Sequence, residues 1–264
     1  MGKMKKLLFL VITVLFLYSC GSGGSKQQSS KSDSSMEKTY QVNLITVDPG
    51  HFHAALVQKI MYDLVSPDVH VYAPEGPDYQ QHLNRIKSYN SRQADPTFWN
   101  EIVYTGPDFF EKMITEKTGN VVVLSGNNRK KAEYITRSIG AGLNVLADKP
   151  MIISADDFKE LEDAFALAKE KGVLLYDIMT ERFEVTTTLQ KLLSMNSEIF
   201  GTLEKGSKDK PAVTKVSVHH FAKLVSGSPL IRPAWFFDVE QQGEGLVDIT
   251  THLVDMVQWE CFSE

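Results

Sequence analysis

The chain has 264 residues, of which 42% are hydrophobic and 23% are charged, so it has enough apolar residues to form a folded core. The formal net charge is −5 at pH 7, and it becomes −8 without the three lysines among the first six residues. This acidic balance argues against a nucleic-acid partner and against electrostatic adhesion to a membrane.

Residues 1–19 predict a lipoprotein signal peptide. Lysines precede the apolar run Leu7–Tyr18, whose twelve residues are fewer than the roughly 20 that a membrane span needs. The run ends in Leu-Tyr-Ser-Cys, which resembles a bacterial lipobox, so we expect cleavage before Cys20 and a lipid on its thiol. An uncleaved anchor or an ordinary secretion signal is the alternative. Only Cys261 then remains, so we expect no internal disulfide.

Residues 20–39 have the composition of a flexible tether, with glycine, serine, lysine and glutamine and no apolar cluster. We therefore expect an exported protein that is held to a bacterial membrane through the lipid on Cys20. Lipoproteins of the cell surface often carry acidic residues just after the cysteine. The segment GSGGSKQQ has none, which favours a periplasm-facing location.

Residues 40–179 alternate short β-type runs with helical ones, and we predict a dinucleotide-binding domain there. The predicted strands are 41–47, 69–73, 101–105, 121–125, 144–147 and 173–178, and the predicted helices are 54–64, 79–89, 108–116, 128–139 and 154–172. The fourth strand is almost wholly apolar, which is typical of a strand buried on both faces of a parallel sheet. The alternation predicts an α/β fold with a Rossmann-type, doubly wound parallel sheet.

The pattern changes in residues 180–264, where we predict the start of a substrate-binding domain of α+β type with a mostly antiparallel sheet. A helix over 184–195 precedes a loop over 201–211, and residues 213–221 alternate like an antiparallel strand. The helical pattern from Leu246 continues to the end of the sequence without a stop signal. We therefore expect this domain to be incomplete and the sequence to be a C-terminally truncated fragment.

Ligands of open α/β sheets bind beyond the carboxyl ends of the strands. The turn after the first strand keeps the second glycine of a G-x-G-x-x-G pattern as Gly50, whereas Asp48 and His53 replace the first and third. Gly50 still allows close approach of a phosphate, and the next helix offers backbone amides; an ordinary strand-to-helix turn is the alternative. The candidate cofactor-binding residues at the strand ends are Gly50, His51, Phe52, His53, Glu75, Ser125, Asn127, Asn128, Asp148 and Lys149.

The pair His51 and His53 has a second interpretation. A His-x-His pair after the first strand resembles the metal ligands of amidohydrolases, which are (β/α) barrels. Such a site needs further histidines and an aspartate at later strand ends. Because Glu75, Asn127 and Lys149 stand there instead, we prefer phosphate contact or loop packing for the two histidines and predict no metal site.

Three stretches resemble, in order and spacing, the motifs of the Gfo/Idh/MocA family, the glucose-fructose oxidoreductase and inositol dehydrogenase group. The turn A-T-P-N-x-x-H corresponds to LSGNNRK, which keeps Asn127 but has Lys130 for the histidine. The motif A-G-K-H-V-x-x-E-K-P corresponds to GAGLNVLADKP, with Asp148 for the glutamate. The glycine-rich G-G-G-x-x-x-D-x-G-x-H-x-x-D stretch corresponds to GEGLVDITTHLVD, with Glu244 for the middle glycine. The resemblance extends from Tyr40 to the end of the chain.

The resemblance implies a Rossmann domain that binds NAD, with NADP as the other option, and a second domain that binds substrate. The carboxylate of Glu75, if it binds a ribose hydroxyl, favours NAD. The implied activity is hydride transfer at a hydroxyl of a sugar or polyol. His252 is then the base, Asp248 orients its ring from one helical turn away, and Lys149 bonds the substrate oxygen and stabilises alkoxide charge.

Two other functions stay open. The same three residues suit a glycosidase that recycles a retained NAD through oxidation and elimination. The altered glycine turn suits a non-catalytic lipoprotein that binds glycans. A homo-oligomer formed through the C-terminal sheet is also left open.

Overall fold

The computed structural model describes residues 39–217, 220 and 222–262. The predicted signal peptide, Cys20 and the tether up to Lys38 lie outside the described residues, as do three positions of the predicted strand 213–221. Among the helices of the described ranges, none is long and apolar enough to span a bilayer.

Six parallel strands form one sheet in the order β3-β2-β1-β4-β5-β6. The strands are β1 (Leu44–Val47), β2 (Asp68–Ala73), β3 (Asn100–Thr105), β4 (Val121–Leu124), β5 (Asn144–Asp148) and β6 (Leu175–Ile178). The order reverses between β1 and β4, which is the Rossmann arrangement, and a ligand crevice opens at that point. The predicted doubly wound parallel sheet is thereby confirmed.

Ten α-helices accompany the strands in the described residues. They are α1 (His53–Val57), α2 (Pro77–Ser91), α3 (Phe109–Glu116), α4 (Lys131–Gly140), α5 (Phe158–Lys171), α6 (Val185–Ser194), α7 (Ser197–Phe200), α8 (Val239–Gln242), α9 (Gly245–Asp248) and α10 (Thr250–Cys261). The Ser154 side chain accepts a bond from the backbone of Asp156 before α5, and Gly172 ends that helix at φ 68°, as their residue types favour.

Both faces of the sheet are buried at its centre. Ile45 and Val47 of β1 pack in one apolar cluster with α3, α4 and α5. Leu44 packs in a second cluster with α1 and α2. Because successive strand residues point to opposite faces, β1 lies between two cores, and the carboxyl edge of the sheet is left for a ligand.

The helix predicted over 54–64 is wrong in length, since α1 ends at Val57. The carbonyl of Gln58 accepts a 2.6 Å bond from the indole nitrogen of Trp99. In a longer helix that carbonyl would bond four residues ahead. A contact with a distant residue therefore ends the helix, although the apolar spacing continues.

The strand predicted over 213–221 is not formed in its described part, where residues 213–217 have no strand assignment. A strand needs a hydrogen-bonded neighbour, and these residues pair with none of the described strands. An antiparallel pair does follow, β7 (Leu224–Val225) with β8 (Ser228–Pro229).

Candidate active site

A cavity of about 430 Å³, here called the site cavity, lies at the carboxyl edge of the sheet. Its lining includes the three residues proposed for catalysis, Lys149, Asp248 and His252, together with Glu181. Lys149 follows β5, Asp248 ends α9 and His252 lies in α10. The lysine and the imidazole that we predicted to work together thus face a common space, although they are 103 positions apart in the sequence.

Lys149 and Asp248 form a buried ion pair. The lysine Nζ lies 2.7 Å from Oδ1 of Asp248 and also donates to its backbone carbonyl at 2.9 Å. Both residues are almost fully buried. Because water solvates a buried ammonium poorly, the carboxylate stabilises its charge. The carboxylate also fixes the position of the amino group in the cavity wall.

The predicted partnership of Asp248 with His252 is wrong. Nδ1 of His252 lies 2.7 Å from Oε2 of Glu181, in the short turn after β6, whereas the Asp248 carboxylate is bonded to Lys149. Burial alone would raise the pKa of Glu181, but the contact with His252 and its charge lower that pKa to about 2. The turn at Ile249 between α9 and α10 separates the two residues that we had placed on one helix face.

Asp148 joins the two histidines of the first turn. Its carboxylate oxygens lie 2.6 Å from Nδ1 of His51 and 2.8 Å from Nδ1 of His53, and Ser125 donates to it at 3.1 Å. Burial would raise the pKa of Asp148, but the two histidines hold it well below its usual range. Burial, followed by the charge of His53, lowers the pKa of His51 to about 3.

Asn127 and Asn128, predicted to bind cofactor, are engaged within the protein. The amide of Asn127 donates to the Gln241 side chain at 2.6 Å, and that of Asn128 donates to the backbone carbonyl of Gln242 at 2.8 Å. The carbonyl of Asn128 also accepts from the buried amino group of Lys131. These bonds attach α8 to the end of β4, so the two asparagines hold protein segments together in this structure.

The turn at Gly50 is covered by a later part of the chain. A methyl group built on Gly50 would lie 2.9 Å from the Trp235 ring and 3.1 Å from Oδ2 of Asp78. The Trp235 indole donates to Asp78 at 2.8 Å. The remaining cavity over the turn is about 10 Å³, which is room for about one water molecule. We therefore expect a diphosphate to bind against Gly50 only when Trp235 moves away.

Acidic groups also surround this turn. Asp48 adopts φ 46°, and burial, followed by the charge of Asp78, raises its pKa to about 6. Two carboxyl groups beside the position of a diphosphate oppose its charge. Asp78 is the acid that lies against Gly50, whereas Glu75, predicted for the ribose, is exposed in the loop after β2.

Phe52 lies among cationic and aromatic groups. Its ring centroid lies 4.5 Å from those of His51 and His53. The side chains of Arg85 and Lys223 stand 5.9 Å and 5.5 Å from its centroid. Phe52 thus forms part of the wall between the Gly50 turn and the site cavity, and it lines both spaces.

The roles of Glu181, Asp78 and Trp235 were not predicted from the sequence. Glu181 had a signal, since the triplet Glu181-Arg182-Phe183 after the last predicted strand also resembles the pattern of the Gfo/Idh/MocA family. The neighbouring Arg182 bonds Asp255 of α10 at 2.7 Å, so the triplet also attaches α10 to the sheet. Trp235 had no comparable signal, because its contact with Asp78 spans 157 positions of sequence.

The comparisons with known proteins agree with this fold. Residues 189–264 match the family described as "Putative oxidoreductase C terminal domain". A crystal structure of a "putative oxidoreductase" from Parabacteroides merdae is 59% identical, with a TM-score of 0.78 over 85% of this chain and 51% of that one. No curated protein matches the sequence at a significant level.

More distant structures share the fold. A myo-inositol dehydrogenase of Sinorhizobium meliloti, described in its name as putative, has 14% identity and a TM-score of 0.55 over 84% of this chain and 56% of that one. A levoglucosan dehydrogenase in complex with NADH has 17% identity and a TM-score of 0.52, over 83% and 53%. This chain therefore spans about half the length of these structures. The protein shares the Rossmann-type fold of these oxidoreductase structures, as the resemblance to the Gfo/Idh/MocA family implies.

Proposed function

We propose that the protein is an NAD(P)-dependent oxidoreductase of the Gfo/Idh/MocA type that acts on a hydroxyl group of a sugar or polyol. One observation carries the proposal. Lys149 and His252 line the same cavity at the carboxyl edge of a Rossmann sheet, and each is held by its own buried or half-buried carboxylate. When bound, a nicotinamide nucleotide supplies or accepts the hydride.

Lys149 is suited to bind the reacting oxygen. Its ammonium is fixed by Asp248 at 2.7 Å and has three donors, so two bonds to Asp248 leave one proton for a substrate oxygen. A fixed cation at the developing alkoxide stabilises the transition state more than the neutral hydroxyl.

His252 is suited to move the hydroxyl proton. Glu181 lies 2.7 Å from Nδ1, so it orients the ring and stabilises the imidazolium that forms when Nε2 takes the proton. Glu181 thus has the role of orienting the His252 ring, which we had assigned to Asp248.

Two comparisons support a polyhydroxylated substrate. The relatives named for myo-inositol and levoglucosan act on molecules rich in hydroxyl groups. The site cavity of about 430 Å³ is within the size range of small-molecule sites, and its charged lining suits hydroxyl groups.

The experiment that tests the proposal measures cofactor and turnover in the full-length chain. We expect mass spectrometry of the denatured protein, or titration with NADH, to detect a bound nicotinamide nucleotide. We also expect absorbance at the reduced-nicotinamide band to change with a panel of sugars and polyols. Release of an aryl alcohol from aryl glycosides without net NADH would instead support the recycling glycosidase.

The covered Gly50 turn gives a separate prediction. Trp235→Ala is expected to tighten NADH binding by about tenfold, because a dinucleotide no longer has to break the bond to Asp78 and expose the indole ring. Fluorescence titration measures the two dissociation constants. Trp259→Ala, which removes another tryptophan, from α10, should leave the affinity unchanged. Equal or weaker binding by Trp235→Ala would show that the ring is no barrier to the cofactor.

The same observation favours a second candidate, a non-catalytic glycan-binding protein. Trp235 fills the Gly50 turn, and Asp48 and Asp78 flank it. Such a turn is expected of a Rossmann domain that no longer binds a dinucleotide. Absence of nicotinamide nucleotide from both the wild type and Trp235→Ala, together with glycan binding, would support this candidate over the enzyme.

A further inference from the structure

We propose that His51, His53 and Asp148 form a binding site for a divalent transition-metal ion, with Zn²⁺ as the ion that the ligands fit best. The inference goes beyond the proposed function and does not require that a dinucleotide binds. It starts from the side chains that the sheet brings to one point. His51 and His53 follow β1, and Asp148 ends β5, with β4 between them in the sheet.

The three side chains are of types that bind transition metals. Two imidazoles and one carboxylate are a frequent set for zinc, and also for iron with open positions. The ligand atoms of the three residues all lie within 4.8 Å of one another. From the sequence we predicted no metal site, because no histidine stands at the other strand ends. We had assigned Asp148, the carboxylate that completes the set, to the cofactor.

The ligand atoms lie at distances close to those that an ion requires. Nδ1 of His51 and Nδ1 of His53 lie 2.6 and 2.8 Å from the Asp148 oxygens. Ligand atoms about 2.1 Å from a tetrahedral ion are about 3.4 Å apart. Each of the two nitrogens therefore needs to move away from the Asp148 carboxylate by less than about 1 Å to admit an ion.

The surroundings of the three ligands also suit an ion. Ser125 donates to Oδ2 of Asp148 at 3.1 Å, a bond of the kind that orients metal-binding carboxylates. His51 and His53 also line the site cavity, so an ion has an entry path. It also has room for a water or substrate oxygen as a further ligand, and there it would polarise that oxygen.

The competing arrangement is a set of hydrogen bonds alone. Arg232 lies 3.3 Å from Nε2 of His51, which suits an imidazole that accepts at Nε2 and donates from Nδ1 to Asp148. A metal at Nδ1 requires the proton on Nε2 instead. Arg232 then has to move from the ring, so the two arrangements exclude each other.

The experiment titrates the full-length chain, stripped with a chelator, with Zn²⁺ by calorimetry and with Co²⁺ by visible absorption. We expect one equivalent of each ion to bind and Zn²⁺ to raise the melting temperature. His53→Gln and Asp148→Asn are expected to weaken binding by about 100-fold or more, exceeding the loss usual for outer-shell changes. The control His70→Gln removes a histidine of β2 and should bind as the wild type does.

Two outcomes would overturn the site: wild-type protein that binds neither ion at micromolar concentration, or His53→Gln that binds as tightly as the wild type. The first needs no variant, so misfolding of a variant cannot obscure it. The nicotinamide content of the same preparation is measured separately. Loss of the proposed oxidoreductase function therefore leaves the metal result readable, and the reverse also holds.

Discussion

Lys149→Ala is expected to destabilise the folded protein by about 3–5 kcal/mol and to reduce turnover by at least about 100-fold. The loss of stability follows because the substitution removes the cation from the buried carboxylate of Asp248, 2.7 Å away, and breaking a buried ion pair from one side costs about this much. The loss of turnover follows because the same cation is proposed to stabilise the alkoxide. Urea unfolding and the nicotinamide absorbance assay measure the two effects.

A double variant separates these effects. Lys149→Met combined with Asp248→Leu replaces both charges by apolar groups, which is often neutral for stability. We therefore expect stability to return while turnover does not. The surface control Lys159→Ala removes a lysine that pairs with the exposed Asp163 and should change neither quantity. Full turnover in a stable Lys149→Ala protein would refute the proposed role of the lysine.

Asp48→Asn is expected to stabilise the protein by about 2–3 kcal/mol at pH 8 and to have almost no effect near pH 4. In the folded state burial and Asp78 raise the pKa of Asp48 from 3.8 to about 6. The raised pKa means that the folded state binds the proton more tightly. The wild type is thus most stable below about pH 4 and loses this contribution as the pH rises through 6.

Asparagine removes this dependence because it stays uncharged, and it tolerates the positive φ of 46° at this position. Denaturant unfolding from pH 4 to pH 8 measures the difference. Asp63→Asn, a change at an exposed acid, serves as the control. An Asp48→Asn protein that is less stable than the wild type at pH 8 would mean that the ionised carboxylate is needed.

The strands were the best-predicted part of the fold. All six parallel strands were placed. The central ones follow from apolar runs, because a strand buried on both faces has to be apolar throughout, whereas the edge strand β3 has no buried residue. The end of α1 was wrong, since the Trp99 indole takes the Gln58 carbonyl. The strand over 213–221 was wrong in its described part, because alternation indicates a face to bury but does not provide a neighbouring strand.

The candidate site was predicted in its residues but not in their pairing. Lys149 and His252 line one cavity, as expected from residues placed at the carboxyl edge of the sheet. Asp248 and His252 are four positions apart, and the helical spacing suggested that they interact. Packing of α9 and α10 against β5 and the turn after β6 gave each a different partner, at 2.7 Å in both cases.

The sequence by itself determined the parallel sheet, the edge at which the candidate site lies, and the presence of a lysine, a histidine and carboxylates there. These depend on local periodicity and on where strands end, which neighbouring residues encode. Only the tertiary structure decided that Trp235 covers Gly50, that Glu181 holds His252, and that His51 and His53 share Asp148. These contacts join residues roughly 70 to 185 positions apart. Their geometry follows from how whole elements pack and not from local residue preferences.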